Sequence, residues 1–380
     1  MAFLLIPAAV FTLATFILAA LWRLGLALFR RPAPRFWRRT LTWHAWLFAL
    51  HLFVTVPVLF GILVSRSPRT RRDESAYGGP RLAADGSWLL QTRESLAAEA
   101  LGTANVDPAL RDAAAHRAVS LTARDGVTLR AFLVPPSTPP ADVAPRFVAV
   151  LVHGLYRGAL EIEAPGSMLR ELGGEVLLLE LRNHGRSGRA KPTFGADESL
   201  DVLAAVEFLR ARPEARGRPL VLYAVSLGTA AVALAAPQVP DLAGLVLDAP
   251  MDGLEATALR ELRSGTLAQS IRQPWAWTIL WSARHLGGIP IQAVKPREAL
   301  KRLPPEVAVL FIGAGRDERM PPDSVRALFD ALPTAPDRKE LWIQAEATHG
   351  KVWVAAPDEY RRRLAGFCAK VAEPVITPIR

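Results

Sequence analysis

Cysteine is almost missing: Cys368 is the only one in 380 residues. One thiol excludes an intramolecular disulfide framework and leaves the compartment open. Histidine is sparse as well, seven residues dispersed without metal-ligand spacing, so no metal is expected. No Gly-Lys-Ser/Thr follows a glycine-rich turn, and Gly185-Arg-Ser-Gly188 lacks the third glycine of a dinucleotide fingerprint. We therefore expect no cofactor. The net charge of +10 would suit a nucleic-acid partner, but the arginines cluster in one loop or scatter along helical segments. No aromatic-interleaved basic stripe accompanies them, so no nucleic acid is expected.

What the chain has instead is apolar length at its start. Residues 3–29 are interrupted only by Arg23, and residues 41–64 hold no Asp, Glu, Lys or Arg. Each run can cross a hydrocarbon core of about 30 Å at about 1.5 Å per residue. Trp22, Trp37, Trp43 and Trp46 gather around the joining loop, where interfacial aromatics belong. No basic stretch precedes the first run, which argues against a cleaved signal peptide. The reading is a two-helix transmembrane hairpin over residues 1–64, with the lipid bilayer as partner and a bacterial inner membrane as location. Arg30, Arg31, Arg35, Arg38 and Arg39 hold the loop inside and put the following domain on the periplasmic side, while Arg66, Arg69, Arg71 and Arg72 pull the other way.

Residues 65–117 read as a linker with a short helix near 94–101, and 373–380 as a tail. Two alternating runs around Asp125-Gly126 then signal a β-hairpin over 118–134. Strands are expected at 147–152, 176–181, 220–225, 244–247, 307–312 and 340–343. Helices are expected at 161–172, 198–210, 227–236, 324–332 and 357–371. Such alternation implies a mostly parallel sheet with helices on both faces. Residues 251–300 break the rhythm with Trp275, Trp277 and Trp281 on a helical pattern, and read as a small helical lid.

The chemistry gathers at the carboxyl ends of the expected strands, where ligands of open α/β sheets sit. In Leu220-Val-Leu-Tyr-Ala-Val-Ser-Leu-Gly228 a strand-type run breaks at Ser226 and resumes as a helix-type run of small residues. That is the layout of a nucleophile elbow, with Ala224 in place of the usual glycine. A plain N-cap serine is the competing reading. A serine hydroxyl needs an imidazole to take its proton, and the imidazole needs a carboxylate to orient it. Gly313-Ala-Gly-Arg-Asp317 and Ala347-Thr-His-Gly350 end two later strands and supply Asp317 and His349. Asp323 reads as the N-cap of the helix between them. After Val152-His153-Gly154, the backbone N–H of Leu155, with Tyr156 as second choice, is located to stabilise an oxyanion together with that of Leu227. His153 reads as structural, bonding to its own loop. Leu181-Arg-Asn-His-Gly-Arg-Ser-Gly188 reads as a tight turn beneath the site, without a catalytic role.

These segments, with Ala123-Arg-Asp-Gly-Val-Thr-Leu129, make residues 118 to about 371 resemble the α/β-hydrolase superfamily. Within it the likeness is to serine hydrolases related to prolyl oligopeptidase and to membrane-tethered α/β-hydrolase-domain proteins. The resemblance implies an α/β-hydrolase fold over 118–372, with Ser226 as nucleophile, His349 as base, Asp317 as acid, and Leu155 and Leu227 as oxyanion donors. The expected function is a membrane-anchored serine esterase working through an acyl-enzyme on an ester, thioester or amide, with a small-molecule acyl substrate, acyl lipids included. Acyl transfer, peptidase action and a catalytically silent interaction module are the alternatives. The substrate and the oligomeric state are not legible.

Overall fold

The computed structural model describes residues 54–64, 81–82, 88–89, 114–115, 117–136, 146–263 and 269–372, together with Trp43, Trp46 and Leu50. The expected first span, part of the second and the expected helix near 94–101 lie outside the described residues. Among the described residues, no helix is long and apolar enough to cross a membrane. The chain divides into two compact units, Met1–Ser67 with Leu262–Ile289, and Pro68–Glu261 with Pro290–Arg380.

The larger unit is built on an eight-stranded sheet. Its strands are β1 (Arg117–Thr122), β2 (Thr128–Val134), β3 (Phe147–Val152), β4 (Gly174–Glu180), β5 (Leu220–Val225), β6 (Leu242–Asp248), β7 (Ala308–Ala314) and β8 (Lys339–Gln344). Their spatial order is β8-β7-β6-β5-β3-β4-β2-β1. The pairs β1–β2 and β2–β4 are antiparallel, and all others are parallel. The central strands β3, β4, β5 and β7 are buried along their whole length. This is why β3, β5, β7 and the middle of β4 read as unbroken apolar runs and not as alternating ones.

Of the ten α-helices among the described residues, eight belong to this unit or begin in it: α2 (Glu163–Glu171), α3 (Glu198–Ala211), α4 (Leu227–Ala235), α5 (Leu254–Arg263), α7 (Pro296–Leu300), α8 (Pro322–Asp330), α9 (Val352–Ala355) and α10 (Pro357–Ala372). Leucines and alanines of α3, α4 and α8 cover one face of the sheet. Met168 and Leu169 of α2 with Tyr360, Leu364 and Phe367 of α10 cover the other. Two cores on opposite faces of a mostly parallel sheet are what the alternation of strands and helices implies.

Local expectations differ in detail. A 3-10 turn, Ala159–Ile162, opens the helix expected from 161, because Pro165 cannot donate a backbone hydrogen bond within a regular helix start. Asp323 is not an N-cap: Pro321 holds that position and Pro322 is the first helical residue, which leaves Asp323 in the first turn. The hairpin closes through a five-residue loop, 123–127, rather than a two-residue turn. The linker region contributes three two-residue strands, Arg81–Leu82, Trp88–Leu89 and Ala114–Ala115, paired antiparallel.

The smaller unit contains α1 (Val56–Val64) and α6 (Gln269–His285). The expected lid therefore does not fold as one piece, since α7 and most of α5 go with the sheet while α6 packs on α1.

Candidate active site

Sheet order reverses where β3 lies between β4 and β5, and ligands of open α/β sheets bind beyond the strand ends at such a point. Ser226 follows β5 there, with φ 52° and ψ −119°. A non-glycine residue at positive φ in this region is strained by about 1–3 kcal/mol, and survives only where its surroundings enforce it. Here Ser226 N–H donates to the carbonyl of Asp248 at 3.0 Å, and its own carbonyl accepts Thr229 N–H at 2.9 Å.

Of the two small residues flanking Ser226, only one has to be glycine. Ala224 is fully buried with its methyl in the core. A Cβ on Gly228, by contrast, would stand 2.7 Å from the carbonyl oxygen of His153 and 2.8 Å from that of Val152. The start of α4 lies against the end of β3, and that close approach is what the glycine permits.

Ser226 holds the N-cap position of α4 but makes no side-chain cap bond. Its hydroxyl is instead 2.8 Å from Nε2 of His349, whose Nδ1 is 2.7 Å from Oδ2 of Asp317. Three residues separated by up to 123 positions thus form one hydrogen-bonded chain. The other oxygen of the buried Asp317 accepts the backbone N–H groups of Arg319 at 2.9 Å and Met320 at 3.0 Å. The carboxylate is clamped by the turn after β7 and can hold the imidazole in a single orientation.

The loop after β3 runs over this chain. A Cβ on Gly154 would lie 3.2 Å from Cβ of Ser226. His153 is fully buried: its Nε2 accepts Leu181 N–H at 3.1 Å, which leaves Nδ1 to donate to the Gly154 carbonyl at 2.8 Å. Burial, reinforced by neighbouring His184, pushes its pKa well below the ordinary imidazole value. His153 is therefore a neutral strut of its loop, as expected from the sequence. Tyr156 adopts φ 60°, so the loop turns sharply just beyond Leu155. Leu227 is the first residue of α4, and its N–H is among the donors at a helix start that have no acceptor within the helix.

Two residues of the site escaped the sequence reading. Glu161 accepts Gly154 N–H at 2.7 Å and lies 3.3 Å from Nε of Arg157, tying the loop at both ends. It holds the loop without belonging to the triad, and its spacing from His153-Gly154 carries no motif. Glu161→Ala is expected to lower kcat about tenfold, with KM and melting temperature little changed, because a loosened donor weakens transition-state binding more than ground-state binding. Steady-state kinetics beside a melting curve would separate this from a general loss of structure.

The second is Asp248, at the end of β6. It is completely buried, and one oxygen accepts Tyr360 Oη at 2.9 Å, which in turn is 2.8 Å from Tyr223 Oη. Burial, only partly offset by the Tyr360 hydrogen bond, raises its pKa to about 7. The folded state thus binds a proton there that the unfolded chain releases near 4, so this group removes stability as pH rises from about 4 to about 7. Asp248→Asn mimics the protonated form. Its stability relative to wild type is expected to rise across that window and level off above it, by up to about 4 kcal/mol at about 1.4 kcal/mol per pH unit. Urea unfolding at pH 4, 6 and 8 would check this; a difference independent of pH would refute it.

Comparison with known proteins agrees with this architecture. The family model described as serine aminopeptidase, S33, matches residues 143–286. An uncharacterized protein of Bacillus subtilis, YqkD, is 24% identical over 248 residues, 64% of this chain and 75% of that one. The esterase Pf2001 of Pyrococcus furiosus is similar with a TM-score of 0.54 at 19% identity, covering 67% of this chain and 92% of its own. Est1E of Butyrivibrio proteoclasticus, solved with ferulic acid bound, gives 0.50 at 16% identity, covering 66% of this chain and 100% of its own. The chain has the α/β-hydrolase fold, and the family match supports a serine hydrolase.

Proposed function

We propose that this protein is a membrane-anchored serine hydrolase that cleaves an ester, thioester or amide through an acyl-enzyme. The observation that carries the reading is the Ser226–His349–Asp317 hydrogen-bonded chain at the switch point of the sheet. In this mechanism His349 Nε2 takes the Ser226 proton as Oγ attacks the acyl carbon. Asp317 keeps Nδ1–H aimed away from the serine and stabilises the imidazolium that forms. The N–H groups of Leu155 and Leu227 hold the oxyanion of the tetrahedral intermediate. His349 then delivers its proton to the leaving group, and water repeats the sequence on the acyl-enzyme.

Within the superfamily, the reading sets the protein beside the membrane-tethered and prolyl-oligopeptidase-related serine hydrolases. The apolar runs 3–29 and 41–64 serve as its anchor in a bacterial inner membrane, and the arginine-rich joining loop favours a periplasmic catalytic domain. Tethering at a bilayer favours acyl lipids among acyl substrates.

The test is labelling of detergent-solubilised full-length protein by a fluorophosphonate probe. Wild type is expected to label, Ser226→Ala not at all and His349→Ala far more slowly. Folded wild type that fails to label would refute an activated serine and favour the silent fold. Peptidase action is the second reading, favoured by the serine aminopeptidase family match. Faster turnover of aminoacyl amides than of acyl esters by the unlabelled wild type would select it.

A further inference from the structure

Helix α6 lies more than two hundred residues from the apolar N-terminal run, yet the two meet at a seam of small residues. A Cβ on Gly61 would stand 2.0 Å from Oγ of Ser282 and 2.7 Å from the carbonyl oxygen of Ile279. Only a glycine lets the backbones approach so closely. Ser282 is fully buried, and its hydroxyl turns back to its own helix, donating to Ile279 O at 2.9 Å, with Pro57 O at 3.4 Å. Small residues at the crossing and hydroxyls satisfied inside the pair are how helices associate where no water is available.

Among the described residues, this unit exposes a group of large apolar side chains. Trp43, Trp46, Leu50 and Val54 are exposed at spacings of three and four residues, which is one stripe of a helix. Leu59 and Leu63 continue the exposure along α1. On α6, Trp277 and Trp281 are 63% and 54% exposed, one turn apart, and Leu286 just beyond is 54% exposed. Tyr156 and Val354 are the only other large hydrophobic residues exposed among the described residues. Soluble surfaces scatter such residues singly, and concentration in one unit marks a surface that meets something apolar.

We propose that α6 is a second membrane-binding element, lying in the bilayer interface with Trp277 and Trp281 in contact with lipid acyl chains. The inference rests on the membrane-anchored reading given above. Lipid is the partner because α6 packs on α1, the end of a run, 41–64, without Asp, Glu, Lys or Arg and long enough to enter a bilayer. Charge points the same way. From Gln273 to Ser282 the sequence has no charged residue, whereas Arg272 and Arg284 flank that segment in the chain, and Arg66, Arg69, Arg71 and Arg72 come soon after Val64 in sequence; such flanking cations favour anionic headgroups. At 17 residues with polar ends, α6 suits an interfacial position better than a crossing one. The insertion between β6 and β7 would then hold the hydrolase at the bilayer by a second chain segment, packed beside its N-terminal anchor.

Full-length protein in vesicles of phosphatidylcholine and phosphatidylglycerol, with plain or brominated acyl chains, tests this. Tryptophan emission of wild type is compared with that of Trp277→Phe/Trp281→Phe. The difference, which belongs to those two rings, is expected to lose most of its intensity with brominated chains and to resist aqueous iodide. A difference untouched by bromine but quenched by iodide would overturn the inference, as would one untouched by both, which would mean coverage by protein. Either single Phe variant serves if the double variant fails to fold. Vesicle flotation separates the two readings: a chain that floats with unquenched Trp277 and Trp281 retains its anchor and refutes only the role of α6, whereas a chain that does not float refutes both.

Discussion

Replacing Ser226 by alanine is expected to lower turnover by about 10⁴–10⁶, leaving only what binding and oxyanion stabilisation supply. The size follows from the geometry. Oγ is the one atom of the triad that bonds to substrate, and it is already 2.8 Å from the nitrogen that must take its proton. His349→Ala should cost nearly as much, and the double variant little more than either single one, because the two side chains act as a unit. Asp317→Asn is expected to cost somewhat less, about 10⁴, since the turn that holds its carboxylate by two backbone N–H groups remains. Ester hydrolysis by purified variants would read all four, and multiplicative losses in the double variant would contradict a Ser–His unit. Stability separates two of these substitutions further. Alanine at 226 keeps the strained φ of 52°, whereas glycine adopts it freely, so Ser226→Gly should be inactive yet melt higher than Ser226→Ala.

The elbow was legible because its demands are local: a buried strand, a residue held in a strained turn, a glycine against a neighbouring strand and a helix of small residues. The sequence left open whether Ala224 spoils the turn. The structure answers through the other flank, since Gly228 alone faces backbone at 2.7 Å. Asp317 and His349 were found by position, each just past a buried strand end. Glu161 and Asp248 were missed for a common reason. Each acts through a tertiary contact, Glu161 on Gly154 N–H and Asp248 on Tyr360, and neither contact has a sequence period. The insertion was misread as one lid because its tryptophans fit any buried helix. What separates α6 from its neighbours is Gly61, more than two hundred residues away, a partner no local pattern reveals. Asp323 was misassigned because a proline at the first helical position outweighs a carboxylate one residue later.

Arg182→Met is expected to destabilise the fold by about 3–5 kcal/mol, because it strips the cation from a carboxylate that has no access to water. Arg182 is 1% exposed and reaches two partners. Nε and Nη2 donate to Oδ1 of the fully buried Asp201 at 2.9 and 2.7 Å, while Nη1 and Nη2 donate to Asp125 at 2.6 and 3.1 Å. The guanidinium therefore links the turn after β4, helix α3 and the loop of the leading hairpin. Burial works against its charge, but the hydrogen bonds it donates to both carboxylates win and hold its pKa above the ordinary arginine value. Asp201 does not recover its desolvation even so, and burial pushes it up to about 6. The two partners respond unequally to loss of the cation. Asp125, with its side chain 35% exposed, is rescued by water, so its share is small. Asp201 is not rescued, and the penalty is concentrated there. Arg182→Met with Asp201→Asn should accordingly be more stable than Arg182→Met alone, since asparagine carries no charge and its oxygen can still accept the Arg182 backbone N–H at 2.8 Å. At about 2–4 °C per kcal/mol for a domain of this size, the single variant should melt on the order of 10 °C lower and the double variant part of the way back. If the double variant were the less stable of the two, the ion pair itself, and not an uncompensated charge, would be what secures this corner of the sheet.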